Sequence, residues 1–160
     1  MAKPGDKKKT FNEIWDIIDL PVFIIVIYAL IEMLFSVSAS INNVFPSWIL
    51  NFAITLFAFG LIGYRVIKLN EKPEHAAKYG AYAGIITGII GAVIGIITFY
   101  VFPERFIDAI QQAVQAGADY ATVQTFMKIG IFASLVISPA INAGIGALIS
   151  WISGLIFRKK

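Results

Sequence analysis

Four apolar stretches dominate the chain, and only one of them contains a charged residue. Residues 20–37 hold Glu32; residues 48–64, 79–102 and 129–157 hold none. A hydrocarbon core ~30 Å thick is crossed by about 20 helical residues, with ~17–25 the working range. The second stretch is short, but Phe45 before it and Val66 and Ile67 after it extend the apolar run. Arg65 can reach from there to the headgroups on its apolar stem. The fourth is long enough that it must tilt, bend at Pro139 or project from the membrane. The expected spans are residues 20–38, 46–67, 79–102 and 129–157 of a single membrane domain, 1–160.

Composition excludes most alternatives. Apolar residues make up 58% and charged residues 14%, where ~25% charged is usual. With a mean hydropathy of +0.78, a soluble fold would lack the polar surface to cover itself. Disorder, collagen-like repeats and nucleic-acid binding are excluded by the same figures. There is no cysteine, which removes disulfides and thiol chemistry, and one histidine, His75, in a connection expected to be solvated. No metal site and no cofactor is expected.

Lysine and arginine are placed unevenly. The basic arm, residues 1–10, carries Lys3, Lys7, Lys8 and Lys9; the second connection carries Arg65, Lys68, Lys72 and Lys78; the C-terminus carries Arg158, Lys159 and Lys160. The first connection, 38–47, has none, and the third has only Arg105 and Lys128. By the positive-inside rule, both termini and the middle connection are cytoplasmic. The same basic ends can touch anionic headgroups. No cleavable signal peptide fits, because the first apolar run starts late, contains Glu32 and is long enough to stay as an anchor.

Two shorter segments flank the spans. Thr10 and Glu13 fit a capping box, followed by the stripe Phe11, Ile14, Trp15 and Ile18. Residues 11–19 read as an amphipathic helix in the cytoplasmic interface before Pro21 opens the first span; the plainer reading is a first span that starts early. Residues 103–125 form the outer helical connection. Pro103 starts a turn, Phe106, Ile107, Ile110 and Val114 share a face, Gly117 stops the helix and Asp119 caps the next. This amphipathic cap covers the bundle or lies on lipid; its sharper role is a gate or a docking surface for an extracytoplasmic partner.

The third span carries Gly80, Gly84, Gly88, Gly91 and Gly95 close to one face, and the fourth carries Asn142, Gly146, Ser150 and Gly154 at steps of four. Small residues let helix backbones approach in lipid, where no hydrophobic drive acts between helices. The two faces can pack on each other within one chain, or form an oligomer interface or a glycine-lined pore. Glu32 lies roughly 18 Å from residue 20 along a helix, just past the midplane. A charge there costs ~2.5–3.5 kcal/mol on insertion scales, so the carboxyl should face the bundle, hydrogen-bonded or protonated. Asn51, Thr55 and Asn142 come out at similar depth and complete an expected polar cluster facing Gly91 and Gly95. That cluster either glues helices or handles protons or cations. Pro139 removes one helical hydrogen bond, which shapes packing or provides a hinge.

Enzyme templates fail: there is no nucleophile–base pair, metalloprotease motif, P-loop or dinucleotide fingerprint. A single carboxylate in the spans excludes a paired-aspartate hydrolase. No catalytic residue is expected. Two hypotheses remain, a non-enzymatic scaffold or accessory subunit working through helix packing, and a small oligomeric channel or transporter using Glu32 and Asn142.

Lys78, Tyr79 and Gly80 opening a glycine-rich third span, the amphipathic segment after Phe102 and Pro103, and Ala147 to Ser150 ahead of the basic end resemble small four-span membrane proteins of bacteria and archaea, a domain-of-unknown-function type. The likeness covers the second half of the chain. It implies an all-helical fold in a prokaryotic cell membrane and brings no catalytic residues.

Overall fold

The computed structural model describes residues 10–35 and 47–158. Among these residues the chain is helical throughout, with no strand. The lysines of the N-terminal arm, the first connection through residue 46, and Lys159 and Lys160 lie outside the described residues.

Four long helices account for the apolar stretches: α1 (Phe11–Phe35), α2 (Ser47–Lys68), α3 (Pro73–Val101) and α5 (Tyr120–Phe157). Each is long and apolar enough to cross a membrane. A 3₁₀ turn (Pro103–Phe106) and the short α4 (Ile107–Gln115) join α3 to α5. Large apolar side chains cover the exterior, among them Phe23, Phe57, Ile89, Val136 and Ile156, as expected of helices whose outer solvent is hydrocarbon.

Contacts arrange the long helices as a rhombus. The most extensive pair is α3 with α5, followed by α2 with α5; α1 packs on both α2 and α3. No contact joins α1 to α5 among the described residues, so these two occupy opposite corners. The core lies toward one end, built from Ile17, Ile18, Val22, Phe59, Ile62, Val66, Ala76, Tyr79 and Ala83. Arg65, Lys68, Lys72, Lys78 and Arg158 gather at that end, called here the basic end; Tyr64 packs edge-on against Phe157 there, with ring centroids 5.3 Å apart.

Local signals explain the helix boundaries. Thr10 N–H donates to Glu13 Oε2 at 2.7 Å, one half of the capping box. Asn70, at φ 58°, turns the chain between α2 and α3, and Pro73 enters the first turn of α3, where its missing N–H costs nothing. Gly117, at φ 97°, ends the outer connection in a conformation that favours glycine. Asp119 then caps α5, accepting from Thr122 N–H at 2.9 Å and Thr122 Oγ1 at 3.0 Å. Those two bonds hold its carboxyl below the usual carboxylate range.

Two expectations differ from the structure. Residues 11–19 are no separate interfacial helix; they are the first turns of α1, which runs unbroken through Pro21. The reason lies in Arg65. Pro21 offers no N–H to the carbonyl of Ile17, and Arg65 Nη1 donates to that oxygen at 2.9 Å, to Asp16 O at 3.2 Å and to Asp19 Oδ1 at 2.6 Å. Arg65 therefore turns into the bundle rather than out to headgroups. As the Asp119 cap leads one to expect, α5 begins at Tyr120 and runs through Phe126 without a break; its 38 residues reach roughly 57 Å at ~1.5 Å per residue, longer than a ~30 Å core.

Candidate functional site: a half-open cavity above a glycine seam

The glycine face of α3 divides into two functional parts. At Gly80 an added Cβ would overlap the carbonyl of Gly146, and a Cβ on Gly146 would overlap the carbonyl of Gly80. The same holds for Gly84 against the carbonyl of Asn142, and for Gly88 against the backbone of Pro139. Three successive glycines thus seat α5 directly on α3, with no side chain between. Pro139 lies inside the continuous α5 at the last of these contacts.

Hydroxyl groups lock the neighbouring seam. Ser150 Oγ donates to the carbonyl of Phe59 at 2.9 Å, and Ser153 Oγ to that of Gly60 at 2.7 Å. Gly63, beside them, has no room for a Cβ against Ser150 and Ser153. Gly154 is less constrained, since a Cβ there would meet Ala76 and Pro73 at 3.4 Å, an ordinary contact. Gly60 and Gly63 were not singled out from the sequence, although their three-residue spacing in an apolar helix is the same signal as in α3.

Gly91 and Gly95 behave oppositely: nothing lies within 4 Å of a Cβ built on either. They line a cavity of about 430 Å³ between α1, α2 and α3, at the end remote from the basic cluster. Glu32, Asn51 and Thr55 line the same cavity, so the structure brings three of the four expected polar residues together with both glycines. Asn142 does not join them. It sits on α5, which does not touch α1, and presents its backbone carbonyl to Gly84. Counting depth along each helix puts Asn142 near the right level but does not reveal that the rhombus places its helix across the bundle from Glu32.

Other groups in the cavity escape a reading of the spans alone. Arg105, on the 3₁₀ turn, folds back over the opening. Its Nη1 is 3.5 Å from the Glu32 carbonyl oxygen, and its guanidinium lies 4.6 Å from the Phe102 ring centroid. Pro103 is the signal, because a tight turn there returns the chain over the end of α3. Tyr28 also lines the cavity, one turn from Glu32 on α1, and its buried hydroxyl has no hydrogen-bond partner among the described residues. Thr55 and Thr98 donate to carbonyls in their own helices, Asn51 O and Ile94 O, each at 2.8 Å. Their oxygens keep acceptor capacity.

At the basic end, Glu71 Oε2 accepts from Tyr79 Oη at 3.2 Å and lies 3.0 Å from His75 Nδ1. His75 is therefore tied to the α2–α3 turn rather than merely solvated. No cluster of three or more metal-ligating side chains occurs among the described residues.

Chemically, the fold defines a four-helix chain fitted to a membrane, closed along a small-residue seam and open in one polar-mouthed cavity. No family model, curated protein or solved structure matches the chain.

Proposed function

We propose that the chain is a polytopic integral membrane protein without enzymatic activity, serving as a scaffold or accessory subunit through its packed helices. The reciprocal backbone contact of Gly80 and Gly146 carries this reading. With Gly84, Gly88 and Gly63 it leaves no space for a larger side chain at these contacts, and a single copy packed in this way, with Phe59, Ile62 and Val66 filling the core beside them, has no aqueous path through its basic half. Both termini and the α2–α3 turn face the cytoplasm, supported by the basic residues at that end. Lys68, Lys72 and Arg158 line a recess there that suits anionic headgroups. On this reading α4 caps the outer surface, Phe11 and Trp15 reach the inner interface, and the chain belongs with the small four-span proteins of prokaryotic cell membranes. Native mass spectrometry of the protein released from lipid nanodiscs tests it. The chain should appear alone or with a different polypeptide; a defined homo-oligomer would overturn the scaffold reading.

One observation favours a second reading, a small oligomeric channel or transporter for protons, cations or a small solute. Glu32, Asn51 and Thr55 share a cavity, a carboxylate among hydroxyl and amide groups at depth. This reading requires pH-dependent flux in liposomes that Glu32→Gln abolishes while the fold persists; unchanged flux rejects it. Asn142 has no part in that path.

A further inference from the structure

We propose that one anionic glycerophospholipid of the leaflet at the basic end binds along the α2–α5 seam, its phosphate among Lys68, Lys72 and Arg158 and one acyl chain in the groove floored by Gly60. This rests on the membrane reading above and gives the basic recess named there a single occupant, held by its chain as well as by its head.

Two adjoining spaces make the site. The recess, about 640 Å³, is lined by Lys68, Lys72 and Arg158 where α2 and α5 end and α3 begins. The groove, about 440 Å³, runs between α2 and α5, with Leu56, Leu61, Ile149, Ile152 and Ile156 in its walls. Tyr64 and Phe157 belong to both linings. Their rings meet edge-on across the seam and remain exposed, so a lipid passes over this pair where its charged part gives way to its apolar part. The two helices keep the same register here: Ser153 bonds to Gly60, and Phe157 packs on Tyr64 one turn further. Lys68 follows Tyr64 by another turn and Arg158 follows Phe157 directly, which sets both cations at the end of the groove. From Leu56 to Tyr64 the groove runs roughly 12 Å, most of the depth of one leaflet in a ~30 Å core.

Charge selects the head. None of the three cations is ion-paired with a described residue. Glu71 is the one carboxylate among the described lining residues, and Tyr79 and His75 already engage it. Three positive charges against one negative leave an excess of two, which a phosphate meets. The ammonium of a zwitterionic head would instead add a further cation.

The groove suits a chain. Its Ser153 hydroxyl is spent on the Gly60 carbonyl at 2.7 Å, so neither group needs a partner from a ligand. Helix packing does not demand glycine at position 60, because a Cβ there would meet only Ser153 Oγ, at 3.9 Å. At Gly63, one turn on, a Cβ would overlap the backbone of α5. What the missing side chain at Gly60 does is leave the floor of the groove open. A soluble phosphate ester would fill the recess and leave the groove empty. An uncharged lipid would fill the groove and leave the cations unmatched.

The test uses the full chain in nanodiscs of equal phosphatidylglycerol and phosphatidylethanolamine, with retained lipid read by native mass spectrometry. The wild type should retain one phosphatidylglycerol per chain in preference to phosphatidylethanolamine. Gly60→Leu fills the groove and should lower that retention about tenfold, the equivalent of roughly two buried methylenes. Lys68→Gln and Arg158→Gln should each lower it about fivefold, the worth of one cation beside an anionic headgroup. Gly144→Leu, at an open position on α5 outside the groove, should retain lipid as the wild type does. So should Lys78→Gln, which removes a charge from the second turn of α3, outside the recess. A loss in Lys78→Gln equal to that in Lys68→Gln would mean diffuse attraction to the basic end and overturn the proposal. Full retention in Gly60→Leu with an unchanged melting profile would overturn it too, as would displacement of the lipid by glycerophosphoglycerol, the head without chains. If Gly60→Leu does not fold, Lys68→Gln against Lys78→Gln decides. Failure to float with vesicles would reject the membrane reading itself; flotation without retained lipid, or with a polypeptide in its place, rejects the lipid site alone.

Discussion

One guanidinium nitrogen of Arg65 stands 2.9 Å from the carbonyl oxygen of Ile17, the group that Pro21 leaves without an amide four residues on. The contact ties the end of α2 to the one point where α1 lacks a bond of its own. Asp19 completes the arrangement at 2.6 Å. Removing Arg65 strands a carbonyl in a largely apolar setting, where an unmade bond costs about 1–3 kcal/mol.

Arg65→Met should therefore lower the midpoint of thermal unfolding in detergent, and Arg65→Lys should lower it less, since an ammonium can serve only part of the fork. Pro21→Ala restores the missing amide. The double variant Arg65→Met with Pro21→Ala should then lose less stability than the two single changes added together. Strict additivity in that cycle would show that Arg65 does not act through the Ile17 carbonyl.

The five glycines of α3 should separate by experiment as they do by contact. Gly84→Ala places a methyl group against the carbonyl of Asn142 and Gly80→Ala against that of Gly146, where only backbone shifts give relief. Each should destabilise the fold by at least about 1–3 kcal/mol, the usual cost of overpacking. Gly91→Ala and Gly95→Ala meet open space and should leave the unfolding midpoint close to wild type, or raise it slightly through the better helix propensity of alanine. Equal losses at all five positions would mean that α5 covers the whole face.

These outcomes show which parts of the fold are legible in one sequence. Helix number and approximate ends follow from hydropathy, because hydrocarbon demands long uncharged helices and leaves little else to choose. Caps at Thr10 and Asp119 and the stop at Gly117 follow from local chemistry confined to a few residues. What does not follow is the azimuth of each helix. Glu32 and Asn142 have compatible depths, yet their helices occupy opposite corners, and only tertiary packing decides that. Arg65 is similar: its count among basic residues speaks to orientation, while its partner on α1 is 46 positions away in sequence. The division of the glycine face is hidden for the same reason, since spacing alone cannot tell a packed glycine from an open one.

Ser150 and Ser153 make the only side-chain hydrogen bonds between α5 and α2 among the described residues. In membrane proteins such bonds average about 0.6 kcal/mol, so Ser150→Ala and Ser153→Ala should each cost about that much. Ser150→Leu should cost far more, because the residue is fully buried and its hydroxyl already adjoins Gly80. Unfolding midpoints of the three variants distinguish the small polar contribution from the steric one. A loss in Ser150→Ala as large as in Ser150→Leu would give the hydrogen bond, not the fit, the leading role.

The absence of cysteine makes orientation directly measurable, since any thiol introduced is the only one in the chain. Glu74 is exposed in the first turn of α3 at the basic end, and Gln112 is exposed on α4 at the other. In intact bacterial cells expressing the protein, a membrane-impermeant maleimide should label Gln112→Cys at once and Glu74→Cys only after the membrane is permeabilised. The expectation follows from Lys68, Lys72 and Arg158 lining the recess at the start of α3, against Arg105 and Lys128 toward the far end. Labelling in the reverse order would invert the topology and place the cavity mouth toward the cytoplasm. Equal labelling of both sites in intact cells would mean that α3 does not cross the membrane, and with it the four-span arrangement would fall.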